Sequence, residues 1–192
     1  MKSVYSFIRE NWQNLKENNV QLYRERLIKW RRQPSFLRVQ RPTRLDRARA
    51  LGYKAKEGYL VVRARIQRGG KKRPQLKGGR KGRNYYIHRS LGKNYQQIAE
   101  ERVNKKHPNC EVLGSYFVLK DGMHNWFEVI LADRVKVSKY KGMGWLLNGR
   151  GRAFRGITSA GRKSRGLRYK GKGREKVRPS YSALSKKSIH VK

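Results

Sequence analysis

Apolar residues recur at helical spacing from the start of the chain: Val4, Phe7, Ile8, Trp12 and Leu15, with Ser3 placed as an N-cap. A second stripe of Val20, Tyr23, Leu27 and Trp30 predicts another helix that stops before Pro34, with Arg24, Arg31 and Arg32 on its other face. Trp12 and Trp30 read as helix-packing residues in preference to base-stacking ones. Thr43 and Asp46, three residues apart, resemble a capping arrangement, and Gly52 is a natural stop, so a short helix is expected from about Thr43 to Leu51.

The period then changes to two. In "YLVVRARIQR" Leu60, Val62, Ala64 and Ile66 point one way, and Val61, Arg63, Arg65 and Gln67 the other. One face is core. The other offers Arg63 and Arg65 to something acidic, which fits a sheet pressed on RNA backbone and equally a solvated sheet. Asn94, with Gln97 at the capping-box position, starts a helix carrying Tyr95, Ile98, Ala99 and Val103 on one face. Two strands follow, about Glu111–Leu119 and Asn125–Asp133, joined through the Asp-Gly of "KDGMH" as a hairpin. Both have apolar residues on each face and should lie centrally. From Val135 onward the chain reads as basic loop, with "MGWLL" as a last apolar island.

The expected class is therefore α+β: a small mixed core with a mainly antiparallel sheet and packed helices, plus long basic extensions lacking regular structure. The expected organisation is N-terminal helices over 1–33, a basic segment with a short helix over 34–58, the core over 59–133 with a basic Gly-rich loop inserted at 68–93, and a basic extension over 134–192.

Charge changes the picture most. The chain has 192 residues, 50 Lys+Arg against 12 Asp+Glu, and a formal charge of +38. Such an excess calls for a polyanion, nucleic acid first and an anionic membrane second. The distribution is uneven: residues 34–99 hold nineteen basic against two acidic residues, 134–192 nineteen against one, and 100–133 four against six. Half of all acids fall in the window with the best strand signals, which suggests a nearly neutral folded centre flanked by basic segments. No apolar run exceeds four residues, so no bilayer span is expected, and no secretory signal pattern opens the chain. A single Cys110 leaves no disulfide pair within the chain. The expectation is an intracellular, polyanion-binding protein.

Candidate chemistry is sparse. "GGRKGRN" lacks the spacing and ending of a phosphate loop, and "GRGRAFRG" puts Phe154 where a third glycine belongs. His88, His107, His124 and His190 are too dispersed for a metal spacing. Carboxylates for acid–base work would have to come from Glu100, Glu101, Asp121, Glu128 or Asp133, and Glu100 and Glu101 are expected to pair on the surface with Arg102 and Lys105. No catalytic residue, metal or cofactor is assigned.

What stands out is phosphate-binding groups interleaved with glycine, hydroxyls and aromatics (Tyr85, Tyr86, Phe154, Tyr169). Arg68 to Tyr86, with Arg68, Arg80, Lys81 and Arg83, and the region from Arg152 to Arg168 have this character. Glycine lets backbone amides approach phosphate, and arginine binds phosphate bidentately and stacks on unpaired bases. Arg155–Pro179 has ten basic residues and one acid, too little apolar surface to order without a partner. Structured RNA fits this mixture best; a chromosomal nucleic-acid-compacting protein and a metal-dependent nuclease are the alternatives.

Several stretches resemble the archaeal and eukaryotic L15e family of large-subunit ribosomal proteins, in particular its archaeal members. They are "RPTRLDRARALGYKAKEGY" (Arg41–Tyr59), "QRGGKKRP" (Gln67–Pro74), "QQIAEERV" (Gln96–Val103), "VLGSYFV" (Val112–Val118), "WFEVILAD" (Trp126–Asp133), and most of all "RGITSAGRKSRGL" (Arg155–Leu167). The opening "YSFIRENW" is similar in pattern. The resemblance implies a non-enzymatic ribosomal constituent in the cytoplasm, a small α/β centre with basic arms between rRNA helices, and large-subunit rRNA and neighbouring ribosomal proteins as partners. Neither membrane association nor homo-oligomerisation is expected. The implied RNA contacts are Arg41, Thr43, Arg44, Arg47, Arg49, Lys54 and Lys56; Gly69, Gly70, Lys71, Lys72 and Arg73; and the run Arg155–Arg165 with Ser159, Gly161, Arg162, Lys163, Ser164 and Arg165.

Overall fold

The long alternating strand does sit inside a sheet, but both of its faces are largely covered. In the computed structural model, which describes residues 2–70, 78 and 91–168, the chain runs α1 (Val4–Gln13), α2 (Leu15–Asn18), α3 (Val20–Arg32), β1 (Phe36–Val39), α4 (Leu45–Ala50) and β2 (Tyr59–Gln67). It continues with α5 (Tyr95–Lys106), β3 (Cys110–Lys120), β4 (His124–Asp133), α6 (Arg134–Ser138), α7 (Trp145–Asn148) and α8 (Ser159–Ser164). The four strands form an antiparallel sheet in the order β1-β2-β4-β3. The fold is α+β.

The hairpin forms where the Asp-Gly signal placed it, with Asp121 accepting from the backbone N–H groups of Met123, at 2.8 Å, and His124. On one face of the sheet, residues at every second position, Val62, Ala64, Ile66, Phe127, Val129 and Leu131 among them, pack under α5 through Ala99 and Val103. On the other face, Tyr116, Val118, Trp126 and Ile130 pack under α3 and α4 through Leu27, Trp30 and Ala48. Trp30 lies 6.2 Å from Trp126, centroid to centroid, and Trp12 packs at the rim of the same cluster. Both tryptophans are therefore packing residues. Helices on both faces explain why β3 and β4 are apolar on both sides.

Four local expectations are corrected. β1 lay between Pro34 and Pro42 in a stretch read without structure; it is a four-residue edge strand whose register follows β2, and flanking prolines are compatible with an edge. Thr43 does not cap α4: that helix starts at Leu45 with Arg44 in the N-cap position, because Thr43 is engaged by a buried carboxylate described below. It does end as expected, with Gly52 at a φ of +92°. Glu100 is not a surface residue but fully buried, since α5 turns Gln97, Ala99, Glu100, Val103 and Asn104 inward; Glu101 pairs with Lys93 at 2.8 Å. Finally, the chain beyond Val135 is not all loop. It holds α6, α7 and α8, with Val137, Leu146, Ala153 and Ala160 buried.

Candidate nucleic-acid interface

The six acids of residues 100–133 are the internal fasteners of the basic segments. Glu128 on β4 stands directly opposite Arg63 on β2 and Tyr116 on β3, a row across three strands. Its carboxylate is fully buried. It accepts from the Thr43 N–H at 2.9 Å, the Thr43 and Tyr116 hydroxyls, and the Arg63 guanidinium at 3.2 and 3.3 Å. Burial beside that carboxylate pushes the Tyr116 phenol far above its ordinary value, so it remains a donor. The Arg63 guanidinium also lies 3.8 Å from the Trp30 ring centroid. The acid that Arg63 was expected to meet is thus in its own sheet. Arg63 and Thr43 each have structural partners within the chain.

Glu111 performs the same service for the C-terminal segment, accepting from the backbone N–H groups of Gly151 at 2.7 Å and Arg152 at 3.2 Å. Glu100 takes the next stretch, accepting from the hydroxyls of Ser115 and Thr158. Thr158 Oγ1 in turn accepts from the Gly161 N–H at 3.2 Å and so caps α8. The start of α5 clasps α8 from the other side: the Asn94 amide side chain donates to the Ala160 carbonyl at 3.1 Å, and its N–H donates to Ser164 Oγ at 3.0 Å. Asp121 pairs with Arg31 at 2.9 Å, and Asp133 caps α6 by accepting from Val135 and Lys136. The segment Arg155–Pro179 was expected to lack order without a partner. Within it, residues 155–168 take up a fold on buried carboxylates and a helix cap, which supply the contacts that their own sequence lacks, and residues 169–179 lie outside the described residues.

Burial pushes the Glu100 carboxyl above the ordinary glutamate value, more than its hydroxyl donors pull it down. An acid with a raised folded pKa holds more protons folded than unfolded. Its contribution to stability is present below the ordinary value and is lost as pH rises through the raised one. Denaturant titrations of the wild type and Glu100→Gln should differ by a decline of that sign, present in the wild type as pH rises above the ordinary glutamate value and absent from the variant.

With these groups committed inward, the sequence-predicted residues sort themselves. Arg44 pairs with the buried Asp46 at 3.0 Å, Arg65 donates to the Arg31 carbonyl, and Arg152 donates to the Val112 carbonyl at 3.4 Å while lying 4.5 Å from the Trp145 ring centroid. Gly161 is buried and Ser164 is engaged by Asn94. Arg41, Arg47, Arg49, Lys54 and Lys56 are exposed around α4, and Arg155, Ser159, Arg162, Lys163, Arg165 and Arg168 around α8. Arg68, Gly69 and Gly70 are exposed just after β2, where the Tyr95 hydroxyl holds Gly69 through both its N–H and its carbonyl. Lys71, Lys72, Arg73, Arg80, Lys81 and Arg83 lie outside the described residues.

Sequence reasoning missed one concentration of charge. Arg26 and Lys29 on α3 and Arg38 and Arg41 on and after β1 line a groove of about 530 Å³. Only recognition of β1 would have brought them together.

Comparison with known proteins places the chain. Residues 3–184 match the Ribosomal L15 family. The large ribosomal subunit protein eL15 of Nanoarchaeum equitans is 50% identical over 184 residues, covering 94% of this chain and 97% of that protein. The protein of the same name from Methanocella arvoryzae is 48% identical over 190 residues, covering 95% of this chain and 96% of its own. With the match running through both the sheet and the segments fastened to it, the chain belongs to the L15e family of ribosomal proteins.

Proposed function

We propose that the protein is a structural constituent of the large ribosomal subunit. It binds and cross-links rRNA through exposed basic segments held against an almost neutral core. The observation that carries this reading is the division of charge. The acids of residues 100–133 face inward onto the chain's own donors, while the basic residues around α4 and α8 face outward. An outward surface of guanidinium and ammonium groups suits many phosphate contacts and few base-specific ones. Its role is to hold RNA, not to transform it: Glu128 and Asp133, the carboxylates a nuclease would need, are occupied by Arg63, Thr43 and Tyr116 and by the start of α6.

If about ten cationic groups engage looped or single-stranded phosphate, the affinity for large-subunit rRNA should fall with salt at a log–log slope of about −7. Filter binding across a salt series measures it, and a slope near zero would sink the proposal. Co-sedimentation separates the alternative of a chromosomal compacting protein: the protein should stay with the large subunit through a moderate-salt wash and should not follow the nucleoid.

A further inference from the structure

The free edge of β1 carries two adjoining concavities that the family relationship does not explain. The first, about 530 Å³, lies between α3 and β1, with Arg26, Lys29, Arg38 and Arg41 on its walls and Trp30 and Leu37 as its apolar part. The second, about 470 Å³, lies on the other side of the strand's end, against Tyr53 and Tyr59. Arg38, Val39 and Gln40 line both, so the two adjoin at the end of β1. Each volume is in the range that holds a small ligand.

Each concavity is lined by a residue that carries a donor with no counterpart. Arg26 Nη1 is buried without a hydrogen-bond partner among the described residues, and so is the hydroxyl of Tyr59, a residue only 8% exposed. Buried polar groups in folded proteins are normally paired; six side-chain atoms of the described residues are not, and two of them belong to residues lining these concavities, which points to an absent acceptor there. Charge says which kind. Among the described residues no acid lines either concavity, and the neighbouring Glu128 is shared by Arg63, Thr43 and Tyr116. Burial and the nearby Arg63 both disfavour the charge on Arg26, a penalty that an incoming anion would remove. Gln33 and Gln40 add side-chain amides able to donate to and accept from a base edge.

We infer that the edge of β1 is a binding track for two consecutive nucleotides of single-stranded rRNA. One sits on each side of Arg38–Gln40, and their phosphates are held by Lys29, Arg38 and Arg41. The inference rests on the rRNA-binding reading above and adds the place and the strandedness of one contact. An extended acidic peptide pairing with the strand edge is the competing occupant. Tyr53, the less buried tyrosine of the second concavity, favours RNA, because an aromatic face suits an unstacked base, whereas Tyr59 is already stacked on Tyr140.

The test compares two triple variants of the full-length protein against purified large-subunit rRNA. One is Lys29→Ala/Arg38→Ala/Arg41→Ala; the other is Arg102→Ala/Lys105→Ala/Lys139→Ala, which removes equal charge from exposed positions elsewhere. All six side chains are exposed, so both variants should keep the fold. The groove variant should reduce the salt slope by about 2, at roughly 0.7 per lost contact, and the control by much less. Ultraviolet cross-linking of the wild type should join RNA to the peptide spanning Leu37–Gln40 or to Tyr53, and the groove variant should lose that adduct. Equal slopes for the two variants, with no adduct along β1, would overturn the track while leaving rRNA binding intact. Unchanged rRNA binding with loss of a neighbouring protein from reconstituted subunits would overturn it in favour of the peptide. A wild-type chain with no salt-dependent binding would take down the wider reading and the track with it.

Discussion

Glu128→Ala should lower the free energy of unfolding by about 3–5 kcal/mol, the cost typical of removing one partner from a buried ion pair. The loss is large because it orphans several groups at once: the Arg63 guanidinium, the Tyr116 hydroxyl, and the N–H and hydroxyl of Thr43. Arg63→Ala should cost less. It leaves the carboxylate with three donors, and Arg63 retains 10% side-chain exposure whereas Glu128 has none. Glu128→Gln should fall between wild type and alanine, since an amide oxygen still accepts but its N–H₂ faces donors. Chemical denaturation ranks the three variants, and an Arg63→Ala loss equal to or above that of Glu128→Ala would refute the account. Amide exchange should also rise at Thr43 in Glu128→Ala, because the anchor of the segment before α4 is gone.

A valine at position 161 should cost about 3 kcal/mol, at the upper end for overpacking. A Cβ there would stand 2.6 Å from Gly156 Cα, 2.7 Å from its carbonyl carbon and 2.9 Å from its oxygen. These are backbone atoms, so no side chain can swing aside. Gly156 itself has a φ of +64°, which ties the loop before α8 to a narrow conformation. Gly161→Ala sets two effects against each other: a gain of up to about 1 kcal/mol in helix propensity and the same backbone collision. The collision should win, because α8 is short and its docking supplies more than its propensity. The decisive readout is local. Hydrogen exchange across residues 156–164 should accelerate in Gly161→Val while β2 and β4 keep their protection, and rRNA affinity should fall without any basic residue having been removed. Uniform loss of protection throughout the sheet would show that α8 is no separate unit.

Much of the architecture was legible before any coordinates. Periodicity located α1, α3, β2, α5 and the β3–β4 hairpin, because each carries several apolar residues at one spacing over a full element. Charge segregation was equally plain. Shorter elements were not legible. β1 has four residues between prolines, and α7 has four residues, too few to establish a period. Their positions depend on what lies beside them.

The harder cases were single polar residues. From sequence Glu100 is a helical acid beside cations and Thr43 a helix cap, and both readings follow sound local rules. What decided otherwise was burial. α5 turns Glu100 onto the sheet to meet Ser115 and Thr158, and strand register puts Glu128 where it can reach Thr43 from 85 residues away in the chain.

By itself, then, the sequence determined the class of the fold, the neutral centre and the abundance of phosphate-binding groups, since composition and period are properties of the chain alone. Only the tertiary structure decided which charges point outward. A buried carboxylate must be matched by donors, and the fold chose those donors from segments remote in sequence. Arg63 and Thr43 were thereby engaged by a buried carboxylate, Arg155–Arg168 was given a surface to fold against, and Arg26, Lys29, Arg38 and Arg41 were brought to a common groove.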